Sequence, residues 1–212
     1  MNSNRPTVSG WPWALGLTLY ELTRHGHQGW WWKLHWAAWK EFRSLDVGQV
    51  VRRHGGDSPG EFSYGETPGV TFLEILRLSG LKPGSAVLDL GSGRGLAVLT
   101  AALNGYKGVG IEMAGEYLDR AKAVAQRAGV EVVFLQGDML TLDWPESHLY
   151  FINSTAFPKA FRQSLARRLE ELPPGSLVVI YDWALDDGFK LLIERRLPVT
   201  WGTVMCRIYS TL

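Results

Sequence analysis

Short apolar runs alternate with stretches of helical periodicity along most of the chain. Runs of this kind, bounded by glycine, proline or polar residues, are typical of buried strands. Five occur, at Ala86–Leu90, Lys107–Ile111, Glu131–Leu135, Leu149–Ile152 and Ser176–Tyr181. Helical patterns fill the intervals, at Thr67–Leu78, Leu96–Leu103, Gly115–Ala128 and Pro158–Leu172. This alternation predicts βαβ units and a parallel sheet.

The C-terminal segment predicts two more strands, 190–199 and 204–211, paired as an edge hairpin, although the first is also compatible with a helix. The predicted fold is therefore α/β, with a doubly wound, mostly parallel, seven-stranded sheet. Thr67 is expected to cap the helix that precedes the first strand, with Pro68 in its first turn.

The N-terminal segment has a different pattern. Its apolar run 11–20 is too short to span a membrane, which takes about 20 residues. Pro12 and the lack of a small-residue cleavage site argue against a secretory signal. Residues 30–45 have helical periodicity with a very wide aromatic arc. We favour a helix packed on the following domain, and a membrane-surface or partner-binding helix stays open.

Composition narrows the function classes. The 212 residues carry 22 Lys and Arg against 21 Asp and Glu, a balance that argues against strong nucleic-acid binding through bulk positive charge. The single cysteine, Cys206, favours a reducing compartment, so we expect a cytoplasmic protein, and peripheral attachment to a membrane stays open. His25, His27 and His35 lack further ligands nearby, and no metal site is expected.

A glycine-rich turn follows the first predicted strand, within the segment VLDLGSGRG at 87–95. A dinucleotide fingerprint needs its third glycine one position later, where Leu96 stands. Asp89 would repel a pyrophosphate and would suit a cationic ligand. S-adenosylmethionine is such a ligand, because it carries a sulfonium and an ammonium group. We expect the turn to bind it through Asp89, Gly91, Ser92, Gly93 and Gly95.

This turn resembles motif I of class I S-adenosylmethionine-dependent methyltransferases, which have a Rossmann-like fold. Glu112 ends the second predicted strand, where a carboxylate can accept hydrogen bonds from both ribose hydroxyls. By the same resemblance, Asp138 matches the position that meets the adenine amino group, and Met139 beside it would pack on the ring. The resemblance thus implies S-adenosylmethionine as cofactor.

Two further motifs look like the non-SET histone lysine methyltransferases of the disruptor-of-telomeric-silencing type. They are the tetrapeptide YGET at 64–67 and the segment NSTAF at 153–157, and the segment VTWG at 199–202 is also similar. The resemblance covers residues 61–212, predicted as the methyltransferase domain, and leaves 1–60 as a Trp-rich helical cap. Ser154 and Thr155 depart from the family's motif, which makes a histone substrate doubtful.

The resemblance implies that Tyr64 and Glu66 lie on a loop over the cofactor, while Asn153 and Phe157 border the methyl acceptor. We therefore expect a methyltransferase that acts on an amine, such as a protein lysine, by in-line transfer. Three aromatic residues are candidate walls of its acceptor channel: Phe157, Trp201 and Tyr209. A small-molecule or lipid-like acceptor, and a binding protein without transferase activity, stay open.

Overall fold

The computed structural model describes residues 11–54 and 65–212. Its helices are α1 (Trp11–His25), α2 (Gly29–Phe42), α3 (Val47–His54), α4 (Gly69–Ser79), α5 (Leu96–Leu103), α6 (Gly115–Ala128) and α7 (Lys159–Glu170). Its strands are β1 (Ala86–Leu90), β2 (Lys107–Glu112), β3 (Val132–Gln136), β4 (Leu149–Ile152), β5 (Leu177–Tyr181), β6 (Phe189–Val199) and β7 (Gly202–Thr211).

The strands form one seven-stranded sheet in the order β3-β2-β1-β4-β5-β7-β6. The first five strands along the chain pair in parallel, and β7 pairs antiparallel with both β5 and β6. The predicted fold class is confirmed, and the segment that was also compatible with a helix is strand β6. The chain order reverses between β1 and β4, and sheets of this type bind ligands at such a reversal, at the carboxyl ends of the strands.

Helices cover both faces of the sheet, which explains the continuous apolar runs in the strands. Alternate residues of β1 enter different clusters: Val87 packs with Phe72 of α4, whereas Leu88 packs with Leu165 of α7. Thr67 does not cap α4 as predicted, because Pro68 occupies the cap position. The Thr67 hydroxyl donates instead to the Tyr181 hydroxyl at 3.2 Å.

Helix α2 packs into the groove between α5 and α6. Leu34, Ala37 and Phe42 are buried there in one cluster with Val98 of α5 and Leu118 of α6. The prediction that this helix packs on the following domain is confirmed for this face. Helix α3 has no counterpart in the sequence-based prediction, and no described helix is long and apolar enough to cross a membrane.

Helix α1 is held at the start of α4 by a buried carboxylate. Glu21 accepts the backbone N–H of Val70 at 2.9 Å and that of Gly69, two amides in the first turn of α4. Burial raises the pKa of Glu21 above its usual value. The Trp13 indole N–H donates to the Val199 carbonyl at 2.7 Å, so α1 also reaches the β6–β7 turn.

The packing of α2 makes a testable prediction about stability. Leu34 is fully buried, so Leu34→Ala should lower the free energy of unfolding by about 2–5 kcal/mol through lost burial and a residual cavity. Trp36→Ala, at an exposed position of the same helix, should change it by less than about 0.5 kcal/mol. Urea unfolding of the full chain measures both, and equal effects would mean that α2 is not part of the core.

Candidate active site

The glycine-rich turn between β1 and α5 is fixed by the neighbouring strand. The Ile111 carbonyl, in β2, accepts the N–H groups of Gly91 and Ser92 at 2.8 and 2.9 Å. Gly91, Gly93 and Gly95 have φ angles of 85°, 52° and 75°, in the left-handed region that favours glycine. The backbone of the turn therefore bends sharply at the carboxyl end of β1.

Two residues of the turn face the interior rather than this edge. A Cβ added to Gly95 would lie 2.6 Å from the Phe134 ring, so only glycine fits against β3. The Ser92 hydroxyl is buried next to Gly110, and a Cβ there would lie 2.7 Å from its oxygen. The Ser92 hydroxyl is therefore buried away from the edge of the sheet.

The Glu112 carboxylate links β2 to the turn. Its Oε2 accepts the Gly93 N–H at 2.8 Å, and its Oε1 accepts the Ala114 N–H at 2.9 Å. A carboxylate has about four acceptor sites, so these two bonds leave capacity for hydroxyl donors. Glu112 is placed, as predicted, at the end of β2 beside the turn.

Asp138 and Met139 follow β3 along the same edge. Asp138 Oδ1 accepts the Leu140 N–H at 2.8 Å, which fixes the start of the 138–144 loop. The Met139 methyl group lies against the turn, 3.0 Å from where a Cβ on Gly91 would be. The structure therefore brings Met139 over the first glycine of the turn.

Asp89 is the most perturbed of the carboxylates at this edge. It is 4% exposed, and burial together with the nearby Glu112 carboxylate raises its pKa to about 8. A positively charged ligand beside Asp89 would lower this pKa again, because it would stabilise the charged form of the carboxylate. Asp89, Glu112 and Asp138 stand at the ends of the adjacent strands β1, β2 and β3. These three carboxylates, as hydrogen-bond acceptors, fit a ligand with a cationic group, ribose hydroxyls and a base amino group.

Arg94 joins the turn to two other segments. Its guanidinium forms a two-bond ion pair with Glu66, at 2.7 and 2.9 Å, and stacks over the Phe42 ring of α2 at 4.9 Å. Glu66 is thus held beside the turn by Arg94. Tyr64, the other residue predicted for this loop, lies outside the described residues.

Asn153, at the end of β4, contacts the same loop. Its Nδ2 donates to the Gly65 carbonyl at 3.0 Å, and its Oδ1 accepts the Thr155 hydroxyl at 3.3 Å. The Trp201 ring covers Gly65 so closely that a Cβ there would lie 2.4 Å from the ring. The segments 65–67, 153–155 and 199–202 therefore meet at one point next to the glycine-rich turn.

Phe157 and Tyr209 do not join this meeting point. Phe157 packs edge-on against Phe161 at 4.8 Å, in the cluster on the α7 face of the sheet. It lines a cavity of about 610 Å³ with Trp183 and Phe189. The Tyr209 hydroxyl is buried and accepts the Leu185 N–H at 3.2 Å, so Tyr209 does not form a wall with Trp201 as predicted.

Three arginines were missed by sequence reasoning. Arg94 is one; Arg162 donates to the Phe157 carbonyl at 2.9 Å and so fixes the 153–157 loop. Arg168 donates to the Met139 carbonyl at 2.6 Å and stacks over Trp144 at 4.3 Å. The only signal in the sequence was the placement of Arg162 and Arg168 on the predicted helix that follows the segment 153–157.

The raised pKa of Asp89 predicts how stability depends on pH. Because the folded state holds the proton up to about pH 8 while the unfolded chain releases it near pH 3.8, unfolding releases a proton between these values. The contribution of Asp89 to the free energy of unfolding should fall as pH rises, by up to about 1.4 kcal/mol per unit. Asp89→Asn should remove this slope in urea unfolding at pH 5, 6.5 and 8. Parallel pH profiles for the two proteins would contradict the assignment.

Known proteins resemble this chain over the same region. Residues 87–173 match a family model described as a methyltransferase domain. The chain is 41% identical to the ribosomal protein L11 methyltransferase of Thermus thermophilus over 59 residues, 28% of this chain and 23% of that protein. It is 25% identical to the sterol 24-C-methyltransferase of Schizosaccharomyces pombe over 129 residues, 58% of this chain and 34% of that protein. The chain spans 23–36% of the length of the curated relatives it matches.

Solved structures extend the likeness to the fold. An RNA methyltransferase from Salinibacter ruber in complex with S-adenosyl-L-homocysteine superposes with a TM-score of 0.55 at 29% identity, covering 68% of this chain and 92% of that one. The magnesium protoporphyrin IX methyltransferase of Synechocystis with bound S-adenosylmethionine has a TM-score of 0.60 at 14% identity, covering 80% and 99%. These relatives support the methyltransferase class and do not support the histone lysine subtype. Residues 87–173 thus match a methyltransferase domain, and the fold of the chain is shared with these S-adenosylmethionine-dependent enzymes.

Proposed function

We propose that this protein is an enzyme that transfers a methyl group from S-adenosylmethionine to an amine. The observation that carries the proposal is the meeting of Gly65, Asn153 and Trp201 beside the glycine-rich turn. This point lies at the carboxyl end of β4, on the acceptor side of the cofactor turn. It combines an amide side chain with an aromatic wall.

In this proposal, residues at the ends of three strands each contact a different part of the cofactor. Asp89 would face the cationic methionine end, Glu112 the ribose hydroxyls, and Asp138 with Met139 the adenine. S-adenosylmethionine supplies a methyl group on a positively charged sulfur, which makes that methyl electrophilic. Glu66, held by Arg94, and Tyr64 belong to the loop that would cover the ligand. The chain thus binds and orients the methyl donor without a covalent step of its own.

An amine attacks in line only in its neutral form, so the chain must help to remove its proton. A free lysine titrates near 10.4, and contact with an apolar wall lowers that pKa by disfavouring the charged form. Trp201 supplies such a wall, and Asn153 Oδ1 can accept an N–H of the amine and aim its lone pair. A protein lysine is the acceptor we favour, and the ribosomal protein L11 methyltransferase is a relative whose name specifies a protein acceptor.

A second candidate keeps the cofactor and changes the acceptor to a small or lipid-like molecule. The cavity of about 610 Å³ beside Phe157 favours it, because its size is typical of small-molecule sites. Phe157, Trp183 and Phe189 give this cavity an aromatic part, and five polar or charged side chains also line it: Lys159, Arg162, Gln163, Glu170 and Asp186. The sterol 24-C-methyltransferases among the relatives are named for an acceptor of this kind.

The two acceptors are separated by labelling. We expect the full chain, incubated with methyl-labelled S-adenosylmethionine and a fractionated lysate, to label protein, with mono- to trimethyllysine found after acid hydrolysis. The Asp89→Ala variant is the matched control, since it removes the carboxylate that faces the donor. Label confined to the small-molecule fraction would replace the lysine with the second candidate. Binding of S-adenosylhomocysteine without transfer to either fraction would leave a binding protein.

Asn153 gives a sharper prediction about the transfer step. Asn153→Ala should lower kcat on the order of 100-fold, because both the tie to Gly65 and the acceptor for the amine are lost. The Kd for S-adenosylhomocysteine, measured by calorimetry, should change by less than about threefold, since the three carboxylates remain in place.

The control for Asn153 is Asn104→Ala, which removes a similar side-chain-to-backbone bond, to the Thr100 carbonyl at 2.8 Å, at the far end of α5. It should leave kcat unchanged. Asn153→Asp tests the two roles of the amide separately. The aspartate keeps an oxygen that can accept an N–H of the amine substrate, but it loses the N–H group that donates to the Gly65 carbonyl. Unchanged turnover in Asn153→Ala would remove this residue from the mechanism.

A further inference from the structure

Helix α2 has a second face, on the opposite side from its buried residues. Trp32, Trp36 and Trp39 are 55%, 60% and 54% exposed, although large aromatic side chains are normally covered. Three exposed cations accompany them, and the six residues together form what we call the Trp face: Trp32, Lys33, Trp36, Trp39, Lys40 and Arg43. Their spacing of three and four residues places the indoles along one stripe of the helix.

The Trp face is ordered by contacts among its own residues. Trp36 and Trp39 stack with ring centroids 5.4 Å apart. Lys40 lies over Trp36 and Arg43 over Trp39, each at 5.1 Å from the ring centroid. The Trp32 indole N–H donates to the Gly26 carbonyl at 2.7 Å in the α1–α2 turn. Each exposed indole is thus held in place, and the cations stand directly beside the rings.

The charge of this face has one sign. Glu41 is the only acidic residue of α2, and it pairs with Arg127 of α6, on the buried side of the helix. The Glu41 backbone carbonyl also accepts a hydrogen bond from the Arg120 guanidinium of α6. The exposed side of α2 therefore presents cations and indoles without a carboxylate of its own.

We infer that the Trp face docks in the plane of an anionic lipid surface. Indole rings partition to the headgroup level of a bilayer, and lysine and arginine beside them are attracted to acidic phospholipids. At 1.5 Å per residue the 14-residue helix is roughly 21 Å long, so it lies on the surface rather than across it. The packing of Leu34, Ala37 and Phe42 presents the face as a preformed, rigid patch.

A protein partner fits the face less well than lipid does. Protein interfaces are enriched in tryptophan and arginine but depleted in lysine, and Lys33 and Lys40 border this stripe. A second copy of the chain would place like charges against each other, since a two-fold interface brings the same patch together. Charge complementarity therefore selects an anionic surface.

Vesicle flotation of the full chain tests this inference independently of methyl transfer. Phosphatidylcholine vesicles with about 30% phosphatidylserine should bind the protein, and about 0.5 M salt should weaken binding at least several-fold by screening. The triple variant W32A/W36A/W39A should bind at least tenfold more weakly. K33E/K40E should lose at least about tenfold on the anionic vesicles.

The matched control for charge is R167E/K190E, which changes the net charge equally at exposed positions of α7 and β6. It should bind within about twofold of the unchanged protein, and circular dichroism with urea unfolding checks that every variant is folded. Absence of vesicle binding, or equal binding by the triple variant, would overturn the inference. Self-association that the triple variant abolishes, without vesicle binding, would assign the face to a second copy instead.

Discussion

The geometry of the site depends on acceptors that β2 supplies to the turn after β1. The Ile111 carbonyl takes two amide hydrogens from the turn, and the Glu112 carboxylate takes a third. Amides at such a bend have no helical or strand partner, so the acceptors in β2 satisfy groups that would otherwise lack a partner within the protein. This constraint fixes where the glycines stand, and through them the positions of Asp89 and Arg94. Glu112 therefore shapes the site before any ligand enters.

Arg94 also links the glycine-rich turn to the N-terminal helices. Arg94 is a turn residue, yet its side chain contacts Glu66 before α4 and Phe42 in α2. Its charge is only partly exposed, and a paired, stacked guanidinium in such surroundings is hard to move without loss of both contacts. Helix α2, the segment 65–67 and the glycine-rich turn thus all depend on contacts of the Arg94 side chain. A change in how α2 packs would therefore alter the contacts of Arg94 and, through them, the glycine-rich turn.

Much of the fold was predictable because the spacing of apolar residues along the chain indicates which positions are buried. The strand Leu149–Ile152 and the helix Leu96–Leu103 have the predicted bounds, since a sheet covered on both faces demands continuous apolar strands. The carboxylates at the ends of β1, β2 and β3 were also predictable, because parallel strands place their carboxyl ends at one edge. Asn153 donates to the Gly65 carbonyl, a contact that was not predicted from the sequence.

The sequence did not reveal on which face of the sheet or helix some side chains pack, or which distant residues a long side chain contacts. Phe157 and Trp201 were expected together, but they belong to clusters on opposite faces of the sheet. Arg94 occupies a position that motif patterns leave variable, and its partners lie 28 and 52 residues away. In α2, tryptophans occur around most of the helix, so periodicity alone could not identify the arc that packs.

The packing of α2 against α6 has a consequence for how the chain is made. The Arg120–Glu41 contact joins residues 79 positions apart, and α2 is synthesised first. At about 5–20 residues per second, α2 leaves the ribosome roughly 4–16 s before the helix that buries it. During that interval its apolar and aromatic sides are both uncovered. Exposed apolar surface of this kind makes a nascent chain prone to aggregate until α6 has been synthesised.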